Sequence, residues 1–151
     1  MLAFELGTSY NTLTMKVKKN KMSVTTETLA ETLRLHKLWL EDDPYGKRAD
    51  LSGVDLSRVD LSGADLNGAY LMDADLRDAD LRGADLTEAN LSDAHLSNAD
   101  LTHAYLINAD LRGADLSYAN LFRADLSYAN LTGANLRGVI LNGAELKNTR
   151  F

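Results

Sequence analysis

From Ala49 to the C-terminus, leucine recurs at every fifth position, from Leu51 through Leu146, and Phe151 takes the next place in register. Two residues before each leucine stands alanine, replaced only by Val54, Val59, Val139 and, before Phe151, Thr149. The position between them is polar in most copies, usually Asp or Asn. A period of five fits neither regular element. On an α-helix five residues advance about 500°, or 140° net, so the leucines would scatter around the cylinder. In a flat strand every fifth residue changes face, and half the leucines would meet water. A coil of short extended triplets joined by corners satisfies the pattern. In Ala49-Asp50-Leu51 the alanine and leucine point inward together and the aspartate outward, and Ser52-Gly53 turn the corner. Stacked coils then pair their main-chain groups with the coils above and below. Glycine recurs at the second corner position (Gly53, Gly63, Gly68, Gly83, Gly113, Gly133, Gly138, Gly143), with Ser, Thr and Asn common beside it, as tight corners favour. Three or four sides would both bury the leucines, each contributing roughly 1.5–3 kcal/mol before entropy.

The first 48 residues follow other periods. Leu2, Phe4 and Leu6, then Leu13, Met15 and Val17, alternate around the loop GTSYN. That pattern reads as a short β-hairpin within residues 1–22, the competing reading being a leader with Met22 as a second start. The run KVKKNK at 16–21 reads as a solvated linker rather than an anion site. Residues 25–42 read as a helix. Thr28 and Glu31 have capping-box spacing near its start, with Thr25 and Thr26 as alternative caps, and Leu29, Leu33, His36 and Leu40 share a face flanked by Leu35 and Trp39, with Leu38 pointing elsewhere. Pro44 disfavours helical geometry at Asp43, and Gly46 permits a turn. So short a helix needs a surface to cover, and the first coil offers one. The chain thus divides into an extension (1–22), a capping helix with linker (23–48) and the repeats (49–151).

The copies ADLSG, ANLTG, ADLRG and ADLTE resemble the pentapeptide-repeat family, whose motif is A(D/N)LXX, and the resemblance covers residues 49–151. It implies an all-β fold class: a right-handed quadrilateral parallel β-helix with four repeats per coil, about five coils here. With the N-terminal capping α-helix and the β-hairpin this is the expected architecture. At about 4.8 Å per stacked strand the rod is about 24 Å tall. Four-fold winding puts residues twenty apart in one outward column. One column is Asp60, Asp80, Asp100, Asn120, Ile140, and the next Asp65, Asp85, Tyr105, Asp125, Glu145. The others are Asp55, Asp75, His95, Asp115, Asn135 and Asp50, Tyr70, Asn90, Asp110, Asn130. Arg58, Arg77, Arg82 and Arg123 stand at corners, where they can offset the stacked carboxylates.

Charge separates the two parts. Residues 1–48 carry +2 and residues 49–151 carry −8, with eight basic and sixteen acidic side chains. An acidic body disfavours direct binding to nucleic acid or anionic membrane. There is no cysteine, so disulfides, thiolate zinc sites and cysteine catalysis are excluded. No apolar run approaches the roughly 18 residues of a membrane span, and MLAFELG is too short and acidic for a secretory signal. The expected location is the cytoplasm.

Candidate chemistry is sparse. His95 lies between Asp75 and Asp115 in its column and His103 at a corner, which suggests a hydrolase only if a cleft adjoins either ring. The column Asp60, Asp80, Asp100 could hold a divalent cation, but carboxylates are the repeat's ordinary residue there. Neither a GxxxxGKS nor a GxxxxGKT phosphate loop appears. No cofactor and no catalytic residue is expected. The outward apolar residues are the more informative anomaly. Tyr105, Ile107 and Tyr128 share one face, while Phe122 and Ile140 share the neighbouring face with Tyr118 at its corner. Such clusters mark contact surfaces. The last coil, with Leu141, Leu146 and Phe151, is an exposed edge of the kind that pairs, and a second copy of the chain is its expected cover. A leucine-filled rod suits binding rather than turnover. The expectation is a non-enzymatic protein-protein interaction module or scaffold, homodimeric through its C-terminal coil. The alternative comes from a branch of the same family whose members mimic duplex DNA, bind DNA gyrase, and inhibit it or protect it from quinolones. The acidic body agrees with that branch. The short rod, the uninterrupted repeats and the spread of acid over every face do not.

Overall fold

The computed structural model describes residues 26–151. The expected hairpin and the basic run at 16–21 lie outside the described residues. Within them, one helix, α1 (Thr26–Leu40), precedes the coils. It begins before Thr28, which is therefore a first-turn residue and not the expected cap, its carbonyl accepting from the Thr32 hydroxyl (2.8 Å).

Parallel bridges join Asp50 to Tyr70, Asp55 to Asp75, Asp60 to Asp80 and Asp65 to Asp85, and so on every twenty residues up to Asn130 and Arg150. One coil is therefore four repeats, and residues 49–148 make five coils. The four faces are centred on Asp50, Asp55, Asp60 and Asp65 in the first coil, and we number them first to fourth in that order. The expected columns are the observed ones. The strands, however, amount to single bridged residues, and no longer strand exists among the described residues. The reason is the corner in every repeat. Only the middle residue of each triplet turns both its N–H and its C=O toward the preceding coil. Tyr70 donates to the Ala49 carbonyl (3.0 Å) and accepts from the Leu51 N–H (2.8 Å), and the next triplet repeats the pattern.

Each corner is closed by an i to i+3 bond, such as the Val54 N–H to the Leu51 carbonyl (3.2 Å). Its second central residue has positive φ: +66° at Gly53, and also +62° at Arg58 and +59° at Tyr118. This is the type II arrangement, which favours glycine but admits others at some strain. The N–H of that residue then donates to the coil above, as Gly53 does to the Met72 carbonyl (2.8 Å).

The outward Asp and Asn have a local task. In fifteen of the twenty repeats their Oδ1 accepts the N–H of the residue two further on, at 2.9–3.4 Å. This Asx bond satisfies the corner N–H that the ladder leaves unused. The exceptions are Tyr70, His95, Tyr105, Ile140 and Glu145, whose side chains cannot reach the same geometry.

Leu51 through Leu131 lie buried on the axis with the alanines beside them. Burial fades at the last coil. Leu136 and Leu141 are half-buried, Leu146 is 38 % exposed and Phe151 61 %.

Helix α1 covers the other end, but not evenly. Leu29 and His36 are buried, Leu33 packs against the core, and Leu40 is half-exposed. Ala49 and Val54 below it are 1 % exposed, whereas Val59 and Ala64 across the same coil are only half-buried. The helix stops at Leu40, before the expected residue 42. Asp42 adopts the left-handed conformation (φ 56°), the Asp43 N–H reaches back to the Leu38 carbonyl (2.9 Å), and that of Asp42 to Trp39 (3.1 Å). This is a Schellman stop with aspartate where glycine is usual.

Candidate interaction surface

The axis offers no room for a substrate, because each leucine of the first four coils fills it at no more than 3 % exposure. Chemistry must therefore be sought on the outside. His95 bridges Asp75 and Asp115 along the backbone as expected. Asp75, though, is buried and held by Arg77 through two bonds (2.7 and 2.6 Å). His103 places its ring edge-on to Phe122 at 6.0 Å. Among the described residues no group of three His, Asp or Glu side chains could hold a metal ion. The carboxylates of the Asp60 column are engaged locally instead. Asp60 accepts from Ser62, Asp80 is clasped by Arg82, and Asp100 accepts from Thr102 and Asn120. The Arg82 guanidinium holds the Asp80 carboxyl below the usual carboxylate range, and Arg112 does the same for Asp110. Asp115 is lowered too, first by Ser117 and then by Asn135.

The compensating arginines differ from the expectation. Arg77 and Arg82 neutralise the aspartate two residues before them, and so does Arg112, which was not among the expected four. Arg58 pairs loosely with the corner residue Asp78 (3.6 Å) rather than with a column. Arg123 forms no ion pair among the described residues; its guanidinium lies over the Phe122 ring at 5.1 Å.

That placement belongs to a pattern. Arg137 lies over Tyr118 (5.6 Å) and Lys147 near the Tyr128 ring (5.9 Å). In both pairs the partners are nineteen residues apart, and the backbone explains why. The positive-φ corner residue donates its N–H to the first corner residue of the next coil, Tyr118 to Arg137 and Tyr128 to Lys147, each at 2.8 Å. The two side chains therefore leave the same corner one above the other. His103 and Phe122 are related in the same way (2.9 Å). Reading corner positions nineteen apart would have revealed these pairs in the sequence; reading the outward columns twenty apart did not.

Of the six expected contact residues, Tyr105, Tyr118, Phe122, Tyr128 and Ile140 are exposed and Ile107 is half-buried. No ring–ring contact joins any two of them among the described residues. Tyr118 and Phe122 flank the third face in the fourth coil, with Ile140 central on that face one coil higher. Tyr105 sits on the fourth face, with Ile107 and Tyr128 at its closing corner.

A second cation–aromatic cluster secures the cap. The Arg48 guanidinium lies 4.0 Å from the Tyr70 ring centre and 5.3 Å from that of Trp39. Its Nη1 donates to the Tyr70 hydroxyl (2.8 Å) and its Nε to the Gly68 carbonyl. Beside it, a shallow depression of about 120 Å³ is lined by Thr32, Leu35, Lys47, Arg48 and Asp50.

Comparison with known proteins gives one family. The model described as pentapeptide repeats matches residues 49–88, 79–117, 89–127 and 119–151. Among solved structures, the pentapeptide repeat protein Rfr23 from the cyanobacterium Cyanothece 51142 is 34 % identical, with 80 % of this chain and 99 % of that one covered and a TM-score of 0.56. A pentapeptide repeat protein of the Arabidopsis thaliana thylakoid lumen is 33 % identical over 72 % of this chain and 74 % of its own, with a TM-score of 0.40. QnrB1, a plasmid-mediated fluoroquinolone resistance protein, is 24 % identical over 68 % and 64 %, with a TM-score of 0.33. No curated protein matches the chain.

Proposed function

Because the chain belongs to the pentapeptide-repeat family, we propose that it is a non-enzymatic protein-interaction module whose contact surface lies on the last two coils. The supporting observation is the pairing of a filled axis with outward aromatic and aliphatic side chains. Tyr118, Phe122, Tyr128 and Ile140 are exposed there, and Tyr105 on the coil below, in slots that hold polar residues or glycine in most repeats. Large apolar side chains on a rigid surface associate at little entropic cost. A second copy is the proposed cover for the last coil, where Leu146 and Phe151 are exposed and Leu141 half-exposed.

The test is the double variant Tyr128→Ser/Phe122→Ser. Both side chains are outside the core, so its melting temperature should match the parent's. Its self-association by sedimentation equilibrium, or its recovery of partners from the native host, should weaken. Unchanged assembly together with unchanged partner recovery would retire the reading.

A second reading draws on charge. Residues 49–117 carry fourteen acidic and four basic side chains, −10 in all. A surface so acidic supports mimicry of duplex DNA toward DNA gyrase. A supercoiling assay with purified gyrase decides it, and no effect at micromolar excess of this protein eliminates the mimic.

A further inference from the structure

Charge is segregated along the coil axis. Against the −10 of residues 49–117, residues 118–151 carry four basic and two acidic side chains, a net +2. The basic groups of the two regions also differ in kind. Arg77, Arg82 and Arg112 are each clasped by their own aspartate at 2.5–2.6 Å, and so present little net charge to a partner. Arg123 and Arg137 have no carboxylate among the described residues and rest on the rings of Phe122 and Tyr118. An arginine laid on an aromatic face keeps its charge and its donors while losing rotamer freedom, which lowers the entropic cost of a later contact. These two pairs stand at the two edges of the third face. Between them, Ile140 occupies a slot that holds Asp60, Asp80 and Asp100 in the lower coils, and it is 46 % exposed.

We propose that the third face of the last two coils docks an acidic polypeptide segment. Its carboxylates meet Arg123 and Arg137, and an apolar side chain between them covers Ile140. This rests on the interaction-module reading and names the class of partner. Charge complementarity selects the occupant. An isolated positive spot beside a strongly acidic body suits a short segment. A long polyanion such as nucleic acid, or an anionic membrane, would also meet the lower coils, which lie within a Debye length of about 8 Å.

The experiment is a two-dimensional NMR titration of the full chain at low ionic strength with two synthetic peptides, Glu-Glu-Leu-Glu-Glu and Gln-Gln-Leu-Gln-Gln. The expected result is saturable shifts around Asn120 and Ile140 with the glutamate peptide. The double variant R123Q/R137Q should weaken that binding by roughly tenfold or more, since two charge-assisted contacts are lost. The control R58Q should not change it, and melting curves verify folding of both variants. Four results overturn the inference: no binding, shifts confined to other faces, an unchanged affinity in R123Q/R137Q, or tighter binding of an oligonucleotide or phosphatidylserine vesicles. If the glutamine peptide binds as tightly as the glutamate peptide and Y118S/F122S abolishes both, the acidic partner is wrong while the interaction module stands.

Discussion

His36 accepts the Ala49 N–H on its Nδ1 at 3.1 Å, joining helix α1 to the first residue of the coil. The ring is 0 % exposed and stacked on Trp39 at 5.4 Å, and among the described residues its Nε2 has no hydrogen-bond partner. The bond requires a neutral imidazole with the proton on Nε2, since a protonated ring has no acceptor. Burial lowers the His36 pKa, and Arg48 adds to that, while Asp65 and the Asn67 backbone oppose it. The sign follows from linkage. Above its ordinary value of about 6.5 the histidine is neutral in both states and costs nothing. As pH falls below that value the unfolded chain takes up a proton that the docked helix refuses, so stability of the cap declines until the depressed pKa is reached. Trp39 is the chain's sole tryptophan and reports the docking. Its fluorescence and the stability of the cap should change between pH 7 and pH 5. In His36→Asn, whose side-chain carbonyl can still accept, that dependence should vanish. A parent protein indifferent to pH over this range would contradict the assignment.

The linker that follows the helix is tied back to it by its backbone. Lys47 donates its N–H to the Leu35 carbonyl (2.9 Å), and Gly46 to that of Asp43 (2.8 Å). A Cβ on Gly46 would lie 2.2 Å from the Trp39 nitrogen and 2.5 Å from the Leu38 carbonyl carbon. Both are backbone atoms of the last helical turn and cannot swing aside. Gly46→Ala should therefore cost about 1–3 kcal/mol, the range of overpacking, and shift the Trp39 emission. Gly53→Ala, where no atom lies within 4 Å but φ is +66°, should cost less and leave Trp39 unmoved. Equal effects in the two variants would mean that close approach is not what Gly46 supplies.

What could be read from the sequence followed from its repetition. The burial of Leu51 through Leu131 and the column from Asp75 to His95 to Asp115 need only the five-residue period and four-fold winding. Features made by a single pair of residues could not be read that way. The helix ends at Leu40 because Asp42 takes a left-handed turn, a choice open to aspartate but not dictated by it. Arg123 stands at a corner like Arg82, yet has no aspartate two residues before it and turns to Phe122. The Asx bonds were within reach, since aspartate or asparagine two residues before each corner N–H is a known turn device. They explain the outward carboxylates without a metal.

Those bonds also show where the repeat is incomplete. His95 cannot offer Oδ1 to the N–H of Ser97, whereas Asp115 above it accepts from Ser117 at 3.0 Å. His95→Asn should restore the bond without adding a carboxylate between Asp75 and Asp115. A gain of about 0.5–1.5 kcal/mol is expected, seen as a rise of a few degrees in melting temperature, about 2–4 °C per kcal/mol at this size. The gain is net of the favourable pull that His95 exerts on Asp115. A melting temperature equal to or below the parent's would show that the Asx bond adds no stability at this column.

The position of a leucine along the axis should govern what its loss costs. Leu101 is fully buried in the third coil. Its N–H donates to the Asn120 carbonyl above, and the Asp100 N–H beside it reaches the Ala79 carbonyl below. Leu101→Ala leaves a cavity that rigid neighbours on both sides cannot fill, and should cost about 2–5 kcal/mol. Leu141, half-buried in the last coil, loses only part of its roughly 1.5–3 kcal/mol of burial when shortened to alanine. Because each coil contacts only its neighbours, stability propagates along one dimension. Hydrogen exchange in L101A should accelerate first in the second to fourth coils, and in L141A only in the last. If both variants accelerate exchange uniformly from the first coil to the fifth, the rod unfolds as one unit and nearest-neighbour coupling is not what sets its stability.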